Sequence, residues 1–158
     1  AIAGELALSE GVIRIGANVR IGYMPQGQET LTPRETPFSV IQASASTNET
    51  PARNFLHYFL FSGDDVFTPV ERLSYGQRAR LLLARIIAQG ANCLVLDEPL
   101  NHLDIPSQEK FEEALAAFPG AVLVAAHDRA FIDRFATGIW SLEHSGIVSY
   151  LSRADMRP

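Results

Sequence analysis

Lysine is almost missing from this 158-residue chain: of 13 basic residues, only Lys110 is a lysine and the rest are arginine. Cysteine is as scarce. Cys93 stands alone, so no intrachain disulfide can form and a reducing compartment is expected. Set in an apolar run, it reads as a small core filler. No apolar run approaches the roughly 18 residues that a bilayer span needs. No signal-peptide pattern is visible either, so a cytoplasmic protein without membrane insertion is expected. The chain opens on Ala1 rather than Met, and this first residue is not expected to be a natural start. A net charge of −5 argues against bulk attraction to nucleic acid. What remains is ordinary for a globular protein, 47% hydrophobic and 20% charged, with enough length for one domain and a real core.

The order of apolar and turn-forming residues divides the chain into three zones. Up to about residue 28, "GVIRIG" (11–16) and "NVRIGYM" (18–24) predict two short strands, and "MPQGQETLTP" then places Gln26 on an exposed loop. Residues of about 29–73 are less regular. There "ETPARNFLHYFLF" (49–61) predicts a helix capped by Thr50 with Pro51 at its first position, followed by a loop, "FSGDDVFTPVER". Phe55, His57, Tyr58, Phe59 and Phe61 on that helix are expected to bury against a core, because no basic residues interleave with them as a base-stacking surface would require. From residue 74 to the end the pattern is clearest. Ser74 and Gln77 form a capping-box pattern for a helix over 75–89 that stops at Gly90. The run "NCLVLD" (92–97) predicts a strand covered on both faces. A helix over 106–118, a strand over 121–126, a helix over 128–135 and a strand over 138–142 follow. Strands alternating with helices imply βαβ units on a parallel sheet.

In such a sheet, ligands bind beyond the carboxyl ends of the strands. Asp97 and Glu98 close one predicted strand, and His127 and Asp128 close the next. Acids at the end of a buried strand need a cation or hydrogen bonds, and Mg²⁺ carrying phosphate oxygens would serve. Asp97 could hold such a metal through water, Glu98 could orient or deprotonate an attacking water, and His127 could reach a terminal phosphate. Solvated acids at an ordinary strand end fit the spacing equally well. The helix after Ser74 offers unpaired N–H groups and a positive dipole end to an anion. Gly76 there would let another chain or a ligand come close. A well-capped surface helix explains that motif alone just as well.

Taken together, "LSYGQRARLLLARIIAQGANCLVLDEPLNHLD" and "AAHDRAFID" resemble the ATP-binding cassette (ABC) ATPases in order and spacing, over nearly the whole chain. "LSYGQ" (73–77) is similar to their signature motif, usually LSGGQ; "CLVLDE" (93–98) to Walker B; and "NHLD" (101–104) to the D-loop. The resemblance implies Asp97 on the metal side, Glu98 as the catalytic glutamate, His127 as the switch histidine, and Gln26 of "YMPQ" as the Q-loop glutamine near Mg²⁺ and the attacking water. It implies that two cassettes sandwich two ATP molecules head to tail. Ser74, Tyr75, Gly76, Gln77 and Asp104 would then serve a nucleotide held mainly by the partner cassette. The implied fold is α/β, a P-loop NTPase-like cassette with a mostly parallel sheet, a short antiparallel β region and a helical subdomain. Its zones fall at about 1–28, 29–73 and 74–158 of one partial domain. "DEPLNHLD", "LDIPSQEKFEEAL" and "HDRAFIDRFATGIW" most resemble subfamily F: soluble proteins with tandem cassettes, many of them acting on ribosomes as translation or antibiotic-resistance factors. "LDIPS" is more similar to their second cassette. Tyr75 in place of the first signature glycine and Leu100 in place of the usual threonine are departures, expected to have modest effects.

A Walker A loop needs G-x-x-x-x-G-K-[ST]. Lys110 lies between Glu109 and Phe111 on a predicted helix and does not fit it, so the pattern is not in this chain. "AIAGELALSEGVIRIG" resembles the segment that follows Walker A, which implies a cassette lacking its N-terminal strand and loop. The 158 residues alone are therefore expected to be inactive. Two further readings stand beside this one: a non-catalytic domain that completes a partner's ATP site, and the nucleotide-binding subunit of a transporter.

Overall fold

The computed structural model describes residues 1–26, 31–143 and 146–150. Two compact units divide the chain, Ala1–Ala125 and Ala126–Pro158.

The larger unit is organised by a three-stranded parallel sheet in the order β1 (Ile21–Met24), β2 (Cys93–Asp97), β3 (Ala121–Ala125). Ile21 pairs with Cys93, and Cys93 in turn with Ala121, so β2 is central and its carboxyl end projects Asp97 beside Ala125. Asn92 sets this register. Its side chain accepts from the Arg20 N–H at 2.8 Å and donates to the Asn18 carbonyl at 2.8 Å, while its backbone carbonyl receives Ala121 N–H. Gly22 lies where a Cβ would fall 2.1 Å from Ile86 Cγ2, so the missing side chain is what lets β1 seat against the helix that carries Ile86.

That helix is α3 (Tyr75–Ala88), begun by the predicted Ser74–Gln77 capping box and followed by Gly90 at φ +85°. Before it come α1 (Pro37–Ala45) and α2 (Glu49–Tyr58), then 3-10 turns at Gly63–Phe67 and Val70–Arg72. After β2 comes α4 (Ile105–Ala116). The core gathers Val40 and Ile41 of α1, Leu56 of α2, Phe61, Leu81 to Leu83 of α3, Leu94 and Leu96 of β2, and Phe111 of α4, all essentially solvent-free. The smaller unit holds α5 (Arg129–Phe135) and an antiparallel pair, β4 (Ile139–Glu143) and β5 (Gly146–Tyr150).

Several expectations change. Residues 11–16 form no strand: their backbone has no ladder partner among the described residues, and Val12, Ile13 and Ile15 are exposed. The second expected strand shortens to 21–24. The α1 helix was not expected, although Thr36 caps it and Pro37 opens it. The α2 helix starts earlier than Thr50, after Asn48, and Leu60 in the left-handed region at φ +62° stops it. Of its aromatics, Phe59 and Phe61 are buried as expected, whereas His57 and Tyr58 face solvent. The expected loop after α2 contains the two 3-10 turns. The β2 strand is not covered on both faces: Leu94 and Leu96 are buried, but Cys93, Val95 and Asp97 are half-buried, so Cys93 is no fully enclosed core filler. The loop expected around Gln26 continues into residues 27–30, which lie outside the described residues.

Candidate active site at the carboxyl end of the sheet

The chain leaves β2 through a tight turn. The Glu98 N–H donates to the Ala125 carbonyl at 2.9 Å, extending the β2–β3 ladder by one bond. Glu98 then adopts φ +46° and His102 φ +63°, left-handed conformations that non-glycine residues seldom occupy. Such outliers persist only where surroundings over-determine them. Here the turn is closed by Asn101 N–H to the Glu98 carbonyl (3.1 Å) and Leu103 N–H to the Leu100 carbonyl (3.2 Å). Leu100 and Leu103 are buried beneath it. Leu100, one of the two departures from the family pattern, thus serves as an apolar anchor for the turn.

The Glu98 carboxylate receives two side-chain amides on one oxygen. Gln26 Nε2, arriving from the end of β1, donates to Oε2 at 2.8 Å, and Asn101 Nδ2 donates to the same atom. Residues 72 positions apart in sequence meet because β1 and β2 are parallel neighbours whose carboxyl ends coincide. A pocket of about 120 Å³ opens here, lined by Gln26, Glu98, Asn101, His102, Tyr75 and neighbouring residues. Asn101 and His102 were not singled out from sequence as site residues. The available signal was the spacing of Asn101, three residues after Glu98, which a tight turn brings back to the carboxylate.

The signature segment lies beside this turn. Ser74 Oγ accepts from Gln77 N–H at 3.1 Å, and Gln77 Oε1 accepts from Ser74 N–H at 2.9 Å. The Ser74 hydroxyl proton keeps its capacity to donate, and Ser74 is exposed. Gly76 is buried for a reason internal to the chain: a Cβ there would fall 2.3 Å from Ser107 Oγ and 2.5 Å from Ser107 Cβ. The group that approaches closely is therefore the first turn of α4, where another chain or a ligand was expected. Asp104 caps α4, accepting from Ser107 N–H at 3.0 Å. Hydrogen bonds from Ser107, side chain first and then backbone, hold the Asp104 carboxyl below the usual carboxylate range.

Arg80 is buried. Its Nε donates to the Phe59 carbonyl at 3.2 Å, and its guanidinium lies 5.9 Å from the centre of the Phe61 ring. Burial lowers its pKa, opposed by attraction to Asp104 and Asp65. The side chain thus joins the end of α2 to α3.

The structure therefore brings Gln26, Glu98 and Tyr75 to one pocket and sets Ser74, Gly76, Gln77 and Asp104 on two abutting helix starts. Asp97 is the half-buried last residue of β2. His127 belongs to the second unit, where it is exposed, and Asp128 beside it caps α5 through Phe131 N–H at 3.0 Å. The donor chemistry suits Mg²⁺: with Gln26 Nε2 engaged by Glu98, the amide's oxygen end remains an acceptor, and Asp97 adds a carboxylate. Magnesium keeps several waters and needs only one or two protein oxygens beside substrate phosphates.

A parallel sheet with adjacent acids at the end of its central strand, Gln26 on the second of them and a capped helix start beside the turn fit an ATP-binding cassette. The ABC transporter family profile matches residues 1–101, and the chain belongs to this family. Among curated relatives, YdiF of Bacillus subtilis (strain 168) is 45% identical over 92% of the chain and 23% of its own length. The energy-dependent translational throttle protein EttA of Mycobacterium tuberculosis (strain CDC 1551 / Oshkosh) is 36% identical over 90% of the chain and 26% of its own length. ATP-binding protein Uup of Escherichia coli (strain K12) is 36% identical over 90% and 23%. These are proteins of the subfamily F type, in line with the motif resemblance. The chain spans about a quarter of the length of the relatives it matches. An ABC transporter structure in an inward-facing conformation shares the fold, with TM-score 0.65 and 20% identity over 86% of this chain and 59% of that one. Among the described residues, no helix is long and apolar enough to cross a membrane.

Proposed function

We propose that this chain is part of an ATP-hydrolysing cassette in a cytoplasmic subfamily F protein that couples the nucleotide cycle to conformational change on a ribosome. The observation that carries the catalytic reading is the Gln26–Glu98–Asn101 constellation at the carboxyl end of β2. Two amides fix the Glu98 carboxylate in one orientation over a small polar pocket, as a residue that orients or deprotonates an attacking water requires. Asp97 and Gln26 would hold Mg²⁺, and the bound ion would neutralise charge developing on the phosphates. His127 would contact the terminal phosphate. Ser74, Tyr75, Gly76, Gln77 and Asp104 would face the nucleotide of a second cassette, where the Ser74 hydroxyl and the α3 N-terminus offer hydrogen bonds and partial positive charge. The division into zones of about 1–28, 29–73 and 74–158 is part of this proposal. Relatives named translational throttle proteins support the ribosomal setting.

The test is steady-state ATP hydrolysis by the complete protein with and without Glu98→Gln. A loss of about 10²–10⁴-fold in kcat is expected, and a rate within twofold of the unaltered protein would overturn the assignment. Co-sedimentation of the Glu98→Gln protein with ribosomes in ATP tests the setting. The 158 residues alone are expected to hydrolyse ATP at background rate, and a robust turnover would refute that point.

A further inference from the structure

Tyr75 is a departure from the usual signature glycine, so the family pattern supplies no role for its ring. In this chain the ring meets His102 edge to face, with centroids 5.9 Å apart and planes at 86°. Both residues line the pocket that contains Glu98, and the turn that carries Glu98 begins and ends on left-handed non-glycine residues, Glu98 and His102. The two ends of that turn are fixed, one by the Glu98–Ala125 backbone bond and the other by the Asp104 cap on α4. Tyr75 is itself fixed, because the next residue, Gly76, is pressed against Ser107 with no room for a Cβ.

We propose that Tyr75 and His102 form a clasp that holds the 98–102 turn, and with it the Glu98 carboxylate, against the start of the signature helix. Tyr75 is then a positioning residue for hydrolysis, acting through His102 on the turn geometry. Edge-to-face pairs contribute modestly but specifically beyond their buried area. Elsewhere the turn is tied by the Gln26 and Asn101 amides on Glu98 and by buried Pro99, Leu100 and Leu103, whereas His102 itself is exposed. A glycine at position 75 would remove the ring that His102 meets. The inference rests on the assignment of Glu98 made above.

The experiment is a double-mutant cycle on ATP hydrolysis by the complete protein, with kcat and KM measured for Tyr75→Gly, His102→Ala, the double variant, Tyr75→Phe and Glu98→Gln. Tyr75→Gly and His102→Ala should each lower kcat about two- to tenfold, and in His102→Ala KM should stay nearly constant. The double variant should be no slower than the worse single variant, and Tyr75→Phe should recover most of what Tyr75→Gly loses. Losses that multiply in the double variant, or a change confined to KM in His102→Ala, would overturn the clasp while leaving Glu98 in place. An unaffected rate in Glu98→Gln would remove the Glu98 assignment and the clasp with it. His102→Ala alters an exposed side chain, so it carries the test if Tyr75→Gly does not fold.

Discussion

Two apolar stretches of similar composition meet opposite fates. "GVIRIG" at 11–16 and "CLVLD" at 93–97 are both rich in β-branched or aliphatic residues. In the second, Leu94 is fully buried and the strand pairs along its whole length. In the first, Val12 is 79% exposed and no ladder forms. Strand propensity describes fitness for a pleated, half-buried surface, and it stabilises nothing until a neighbour supplies that surface. The central strand has β1 and β3 alongside it, whereas residues 11–16 have no ladder partner among the described residues.

The comparison breaks most visibly at Leu94. Leu94→Ala should cost about 2–5 kcal/mol, from lost transfer energy and the cavity left behind, read as a fall in urea midpoint at unchanged slope. A shift under about 0.5 kcal/mol would show that the sheet is not the stabilising centre. Gly22→Val probes the same packing from the other side. A Cβ 2.1 Å from Ile86 Cγ2 and 2.8 Å from Ala91 Cβ forces α3 away from β1, at about 1–3 kcal/mol by the same measurement. Val12→Ser and Ile15→Ser, by contrast, should move the midpoint by no more than about 0.5 kcal/mol, as exposed substitutions do. A larger loss would show that this segment is buried in solution and would erase the contrast.

The smallest effect belongs to Asp104. Its carboxyl is held below the usual range in the folded chain, so its contribution is fully present above the unfolded pKa and disappears as pH falls through the lower folded value. Acid titration of the unfolding midpoint from about pH 5 to about pH 2 should therefore fall more steeply in the unaltered chain than in Asp104→Asn, which keeps an oxygen for Ser107 N–H. Parallel curves would remove Asp104 from the acid response.

Much of the site was legible in the sequence because its signals are local. Ser74 and Gln77 lie three residues apart and satisfy each other on one helical turn, so the start of α3 could be read directly. The strand ending in Asp97 and Glu98 was legible from its apolar run. The start of α1 carried equally local signals in Thr36, Pro37 and Ser39, and went unread because its apolar periodicity is weak. The burial of Arg80 was not legible for a different reason. Nothing near it in sequence announces burial, and its partners, the Phe59 carbonyl and the Phe61 ring, lie about twenty positions away.

The sequence by itself therefore determined the start of α3, the central strand and the acids that follow it, since each depends on residues within a turn or two of one another. Tertiary structure alone decided that Gln26 reaches Glu98, that Ser107 is what requires glycine at position 76, and that Tyr75 meets His102. Those contacts join residues 72, 31 and 27 positions apart. Whether such residues touch depends on strand register and helix packing, and no local pattern of residues encodes either.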